Sequence, residues 1–114
     1  MHILGDGNQT KSFLHVEDCV EGMIYLVKNA KEKYNLINLS SGDTITIRRL
    51  AEIVAEEMNL KNVSFVCESK SYGWKGDVTK MFLDTQKAKK LGWSARYNSE
   101  QAVRKSIKDI LAIE

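Results

Sequence analysis

The sequence has 114 residues, 43% of them apolar and 28% charged, with a net charge of +2. That balance suits one small soluble domain spanning residues 1–114 and argues against disorder. It gives no reason to expect nucleic acid or an anionic membrane as partner, and no apolar run approaches the roughly 20 residues of a membrane span. Cys19 and Cys67 form no C-x-x-C pair and are too few for a disulfide scaffold, so a reducing cytoplasm is expected. The His and Cys residues are scattered, which leaves no credible metal site. Proline is absent, so every turn rests on Gly, Asn, Asp or Ser.

In chain order, His2 after Met1 reads as a start-site remnant, and Gly5-Asp6-Gly7-Asn8 as a turn. Thr10–Val16 predicts a strand, with Lys11, Phe13 and His15 on one face and Ser12, Leu14 and Val16 on the other. Glu17-Asp18 opens a helix to about Asn29, whose Val20, Met23, Ile24 and Val27 form one apolar stripe. Tyr34–Leu39 predicts a short strand and Ser40–Asp43 a turn. Thr46 is the expected N-cap of the clearest helix, in which Ile47, Leu50, Ala51, Val54, Ala55 and Met58 share a face. Glu52 and Glu56 lie one turn apart, a mildly unfavourable pair that expects solvent. Asn59 is an acceptable stop, and Val63–Cys67 predicts a strand.

The rest of the chain is organised around residues 72–93. An aromatic-glycine turn, Tyr72-Gly73-Trp74-Lys75-Gly76-Asp77, precedes the short apolar run Met81-Phe82-Leu83, expected as a strand. Asp84-Thr85 signals a helix start, Lys87–Leu91 continues the helix, and Gly92 stops it as a left-handed cap does. Trp93 is expected to pack this short helix onto the sheet. Ser99 reads as the N-cap of a last helix, from Glu100 to about Ala112, burying Ala102, Val103, Ser106, Ile107, Ile110 and Leu111. The order β-α-β-α-β-β-α-α gives an α/β or α+β class: a small mixed sheet with about four helices.

Four pieces, in this order, carry a resemblance. They are G-D-G-x-Q-T-K-S-F-L-H-V-E-D-C-V-E-G from Gly5, Asn35–Leu39, Thr46–Leu50, and G-W-x-G-D-V with F-L-D-x-x-K-A-K-K-L-G-W. Together they resemble the C-terminal region of extended short-chain dehydrogenase/reductases, the NAD-dependent nucleotide-sugar epimerases and dehydratases of the UDP-glucose 4-epimerase type. The resemblance implies the substrate-binding part of that fold without its Rossmann cofactor domain. Gly5-x-Gly7 lacks the third glycine of an NAD turn and precedes a strand. No Tyr has Lys four residues on, so the family's proton-transfer pair is missing. NAD would serve the full-length family, and no cofactor is expected in this chain.

What the resemblance implies for the site is a grip on a UDP- or GDP-linked sugar. Lys11 takes the position of a diphosphate-binding arginine, as a point charge where arginine offers a fork. Phe13 stands where the family places an aromatic wall. Asp77 matches the ribose-binding acid, since one carboxylate can accept two hydroxyl protons. Relatives carry an arginine three or five residues before that acid; here Trp74 and Tyr72 stand there, with Lys75 as a displaced substitute. The plainer readings are a surface lysine beside a core phenylalanine, and a turn-stabilising aspartate. His15 is expected to be structural, Tyr25 a packing or surface residue, and Asp84 a cap. Without the cofactor sheet, Tyr34–Leu39 would leave backbone groups unpaired and the first helix would lose cover. The chain is therefore expected to self-associate or to pair with a separate cofactor-domain chain.

Overall fold

The computed structural model describes residues 1–113. Among these residues, two small ladders, one parallel and one antiparallel, and four helices make a mixed α/β fold. Strand β1 (His2–Ile3) runs parallel to β4 (Val66–Cys67), pairing His2 with Val66 and Ile3 with Cys67. Strand β2 (Thr10–Lys11) runs antiparallel to β3 (Ile45–Thr46), pairing Thr10 with Thr46 and Lys11 with Ile45. Residues read as a start-site remnant thus form a strand, and the Gly5–Gly7 turn follows a strand as well as preceding one. No helix begins directly after that turn; β2 does, so this turn itself presents no helix N-terminus.

Each helix has a local cause. α1 (Val16–Asn29) starts one residue earlier than expected because the His15 side chain caps it, accepting from the Glu17 N–H at 3.3 Å. α2 (Ile47–Glu57) is capped by Thr46, whose hydroxyl accepts from Arg49 N at 3.0 Å. Asn59 closes it in the left-handed conformation, φ 54°, while Leu60 N reaches back to Ala55 O at 2.9 Å. α3 (Gln86–Lys90) is helped by the Asp84 carboxylate, which accepts from Gln86 N at 2.8 Å. Gly92, at φ 92°, ends it with Trp93 N donating to Ala88 O at 3.0 Å, a left-handed cap. α4 (Ser99–Ile113) begins with a reciprocal box: Asn98 Oδ1 accepts from Gln101 N at 2.9 Å, and Gln101 Oε1 from Asn98 N at 3.0 Å. Asn98, not Ser99, is therefore the capping side chain.

The core lies between α2 and α4. Ile53 and Ala51 of α2 and Ala102 and Val103 of α4 are buried, and fully burying one large aliphatic side chain contributes about 2 kcal/mol. Arg49 ties the helices outside this seam: it grips Glu100 at 2.8 Å and also meets Glu52 at 3.3 Å and Glu56 at 2.9 Å. The stacked Glu52 and Glu56 meet solvent, as expected, and also share this arginine. At the α4 start, Ser99 is fully buried; its Oγ accepts from Phe13 N at 3.0 Å and meets Ser41 Oγ at 2.9 Å. Ser12 joins the same hydroxyl chain through Ser40 and Ser41 at 2.7 and 2.8 Å. These bonds fix the segment that follows Lys11.

Other expectations fail for want of neighbours. Thr10–Val16 keeps only two strand residues, because β3 offers only two partners. Tyr34–Leu39 and Met81–Leu83 form no strand; Lys80 alone bridges to Thr10. The α1 stripe faces outward, with Val20, Met23, Ile24 and Val27 exposed and Asp18, Gly22 and Leu26 buried instead. Ile110 and Leu111, expected inside, are also exposed. The radius of gyration is 16.5 Å and the molecule only 18 Å thick, whereas a compact domain of this length has a radius near about 13 Å.

Candidate functional site

Lys11 and Asp77, 66 residues apart in sequence, meet at 2.9 Å. β2 sets the first, through its pairing with Ile45. The second is set by the turn after Tyr72, in which Asp77 N donates to Trp74 O at 3.0 Å and Gly73 N donates to Asp77 Oδ2 at 3.0 Å. Thr10 N, donating to Thr79 O at 2.9 Å, stitches that turn to the strand. Lys11 Nζ also donates to the Val78 carbonyl and lies 5.8 Å from the centre of a Trp74 ring. The Gly73 N–H and then the Lys11 ammonium hold the Asp77 carboxyl below the usual carboxylate range. Asp77 is therefore a carboxylate at neutral pH, buried at its side chain and charge-matched by Lys11.

This pair stands on the wall of a cavity of about 350 Å³. Trp74 and Gln9 complete the polar side; Ile47, Leu50, Ala51 and Val54 of α2 form an apolar floor. A cation, a carboxylate, an exposed indole and an apolar floor can together hold a flat or sugar-bearing anion.

Of the expected site residues, the structure brings Lys11, Trp74 and Asp77 together. Phe13 lines a neighbouring groove between α2 and α4, with Leu50, Val54, Val103 and Ile107, because β2 ends before it and strict alternation lapses. Lys75 is exposed and does not line the cavity. His15 is buried, with Nε2 3.3 Å from Asp109 and its ring edge-on to Tyr97 at 5.6 Å, which suits a structural residue. Tyr25 donates its hydroxyl to Leu91 O at 2.9 Å, fastening α1 to the end of α3. Gln9 was not expected in the site; its place two residues before Lys11, on the same side of an extended segment, is the signal that points to it. A roomier depression, about 650 Å³, is walled by residues 31–37 and 87–91 and contains none of these groups. Its shape depends on the bare segment after α1, and the Lys11 cavity is the better-built site.

The sequence model of the GDP-mannose 4,6-dehydratase family matches residues 1–106. The chain belongs to that family. Its relatives are nucleotide-sugar epimerases and dehydratases of the extended short-chain dehydrogenase/reductase group, as the four sequence pieces suggested. GDP-L-fucose synthase of Sinorhizobium fredii is 29% identical over 98% of this chain and 34% of its own length. UDP-glucose 4-epimerase of Thermotoga maritima, solved with UDP-glucose, is 26% identical with a TM-score of 0.80, covering 100% of this chain and 36% of that one. UDP-glucuronic acid 4-epimerase of Bacillus cereus, solved with UDP-glucuronic acid and NAD, shares the fold at 19% identity and a TM-score of 0.76, over 99% of this chain and 35% of that one. The chain spans about a third of the length of the relatives it matches. Among the described residues, no helix is long and apolar enough to cross a membrane.

Proposed function

We propose that this chain is the nucleotide-sugar-binding portion of an NAD-dependent epimerase or dehydratase and catalyses nothing by itself. The meeting of Lys11 and Asp77 beside Trp74, on the wall of one cavity, carries the reading. Lys11 would neutralise a phosphate oxygen and Asp77 would accept from ribose hydroxyls, so the nucleotide is anchored and its sugar oriented. In the free chain each group occupies the other. The ligand exchanges that ion pair for two contacts of matching chemistry, a phosphate on the ammonium and a diol on the carboxylate. NAD, which would oxidise and re-reduce the sugar, does not fit these residues: the Gly5–Gly7 turn feeds a strand, not a helix.

Titration calorimetry with UDP, UDP-glucose and GDP tests the reading. Binding of one of them should weaken roughly 10- to 100-fold in Lys11→Ala and in Asp77→Ala, the loss of one charge-assisted hydrogen bond. Binding of none of the three, or binding indifferent to both substitutions, would refute it. Turnover of a nucleotide-linked hexose by the chain with added NAD would refute the non-catalytic part.

A second reading has its own observation. The outward stripe of α1, with Tyr34 and Leu36 more than four-fifths exposed beside it, favours an associating module. Its partner would be a second copy or a separate chain carrying the dinucleotide domain. Sedimentation giving a compact monomer at all concentrations would remove self-association.

A further inference from the structure

The two partners of the Lys11–Asp77 pair differ in what a ligand can reach. The Asp77 side chain is 1% exposed and that of Lys11 19%. Both carboxylate oxygens of Asp77 are engaged: Oδ1 accepts from Lys11 Nζ at 2.9 Å and Oδ2 from Gly73 N at 3.0 Å. An incoming anion therefore meets the ammonium first. The chain around Asp77 is a strap, pinned where Glu68 N donates to Gly5 O at 2.8 Å and where Thr10 N donates to Thr79 O at 2.9 Å. Between these pins, two side chains supply the hydrogen bonds that join residues 69–78 to the rest of the described chain. Lys11 donates to Asp77 and to the Val78 carbonyl, and Gln9 adds a smaller bond to the Asp77 carboxylate. The other bonds of the strap are its own, Asp77 N to Trp74 O and Gly73 N to Asp77 Oδ2. Tyr72, Trp74, Lys75 and Val78 are exposed, and Gly76 sits at φ 90°. A segment with so few buried contacts opens at low free energy once its tie is cut.

We propose that residues 69–78 are a strap latched by the Lys11 ammonium, and that an anion bound to Lys11 unlatches it and frees the Asp77 carboxylate. A diphosphate carries more than one negative charge and outcompetes a single carboxylate for the ammonium. Once Lys11 turns to it, the strap keeps its two pins and the Gln9 bond. Binding is thereby ordered: the anion seats first, and Asp77 becomes available only afterwards. The inference rests on the nucleotide-binding reading for the identity of the anion, whereas the latch itself is testable with no nucleotide present.

The test is amide hydrogen exchange at Gly73 and Asp77 in the full chain, read by NMR, with inorganic pyrophosphate as the probe anion. Without any ligand, both amides should exchange about tenfold faster in Lys11→Met than in wild type, the loss of one charge-assisted hydrogen bond. Lys11→Arg, which keeps the charge, should stay close to wild type. Trypsin should cut after Lys75 faster in Lys11→Met by a similar factor. Pyrophosphate should bring wild-type exchange up to that of Lys11→Met and leave the variant unchanged; uridine, which has no phosphate, should do neither. Asp77→Asn retains an oxygen for Gly73 N and loses the charge, so it serves in place of Lys11→Met should that variant not fold. Equal exchange in wild type and both charge-removing variants would overturn the latch. A wild type whose exchange pyrophosphate slows or leaves alone would overturn the anion trigger. If UDP and GDP fail to bind in calorimetry while pyrophosphate still opens the strap, the nucleotide reading falls and the latch stands.

Discussion

Helices α1 and α2 carry similar apolar stripes in sequence and meet opposite fates. α2 turns Ala51, Ile53 and Ala55 into the protein, packed against α4 and β1, although Ile53 lay outside the expected stripe and Met58, within it, is exposed. α1 turns Asp18, Gly22 and Leu26 inward and leaves Val20, Met23, Ile24 and Val27 to solvent. Its hold on the rest is polar. Asp18 accepts from Arg96 N at 3.0 Å, Arg96 Nε at 2.8 Å and Tyr97 N at 3.1 Å. Gly22 lies against the Trp93 indole, with 2.7 Å between a would-be Cβ and the ring. Periodicity thus announces that a helix has a face to cover; it does not say which molecule supplies the cover. On the α2 side the cover is local, and the Lys11 site sits there. On the α1 side it is missing, in a chain about a third as long as its relatives.

Core truncation breaks the comparison most sharply. Ile53→Ala should cost about 2–5 kcal/mol in urea unfolding, since Ile53 is wholly buried. Ile24→Ala, at a half-exposed position of α1, should stay within about 0.5 kcal/mol. Similar costs at the two sites would mean that the α1 face is covered in solution. Next in size is Asp18→Ala, which strands two backbone N–H groups and removes the buried partner of Arg96. It should cost about 3 kcal/mol, and proteolysis should then release α1 before α2.

Much of the α2 side could be read from residues alone. Thr46, Asn59 and Gly92 act through their own side chains or φ angles, so caps and stops are local events that a sequence displays. The Lys11–Asp77 meeting was legible only through resemblance, because nothing local links residues 66 apart. Strands fared worst. Tyr34–Leu39 reads as a short strand, but a strand is a relation between two segments, and among the described residues none pairs with its backbone. Phe13 lines a different groove from Lys11 for a related reason: alternation holds only while the ladder holds. Gln9 was hidden by the ordinary expectation that glutamines face water.

Acid should separate the two sides more gently. Burial pushes Asp18 up, but its bonds to Arg96 and the Tyr97 N–H outweigh that and hold it below its ordinary value. Glu100 is pulled down to about 2 by Arg49 and then Arg104. A carboxyl whose folded pKa is depressed binds fewer protons folded than unfolded. Its stabilisation is complete above the unfolded value, roughly 4, and drains as pH falls through the folded one. Unfolding midpoints should be flat from pH 7 to about 5 and fall steadily toward pH 2. Glu100→Gln and Asp18→Asn should each flatten that fall; an unchanged slope in both would mean that these ties contribute nothing. Because Glu100 is about one-third exposed, screening keeps its share small.

The smallest expected change in stability is the most informative about the uncovered side. Val27 is 82% exposed and Leu36 84%, so Val27→Lys and Leu36→Lys should move the unfolding free energy by no more than about 0.5 kcal/mol. Hydrogen exchange in residues 34–39 should be fast in the dilute chain, since these backbone groups lie outside every ladder. If the face docks on a partner, both lysine variants should lose association in sedimentation, and protection of 34–39 should appear only in the associated wild type. The segment would then become a strand where its second half is supplied, and the strand expected over Tyr34–Leu39 would be a correct statement about the assembled protein.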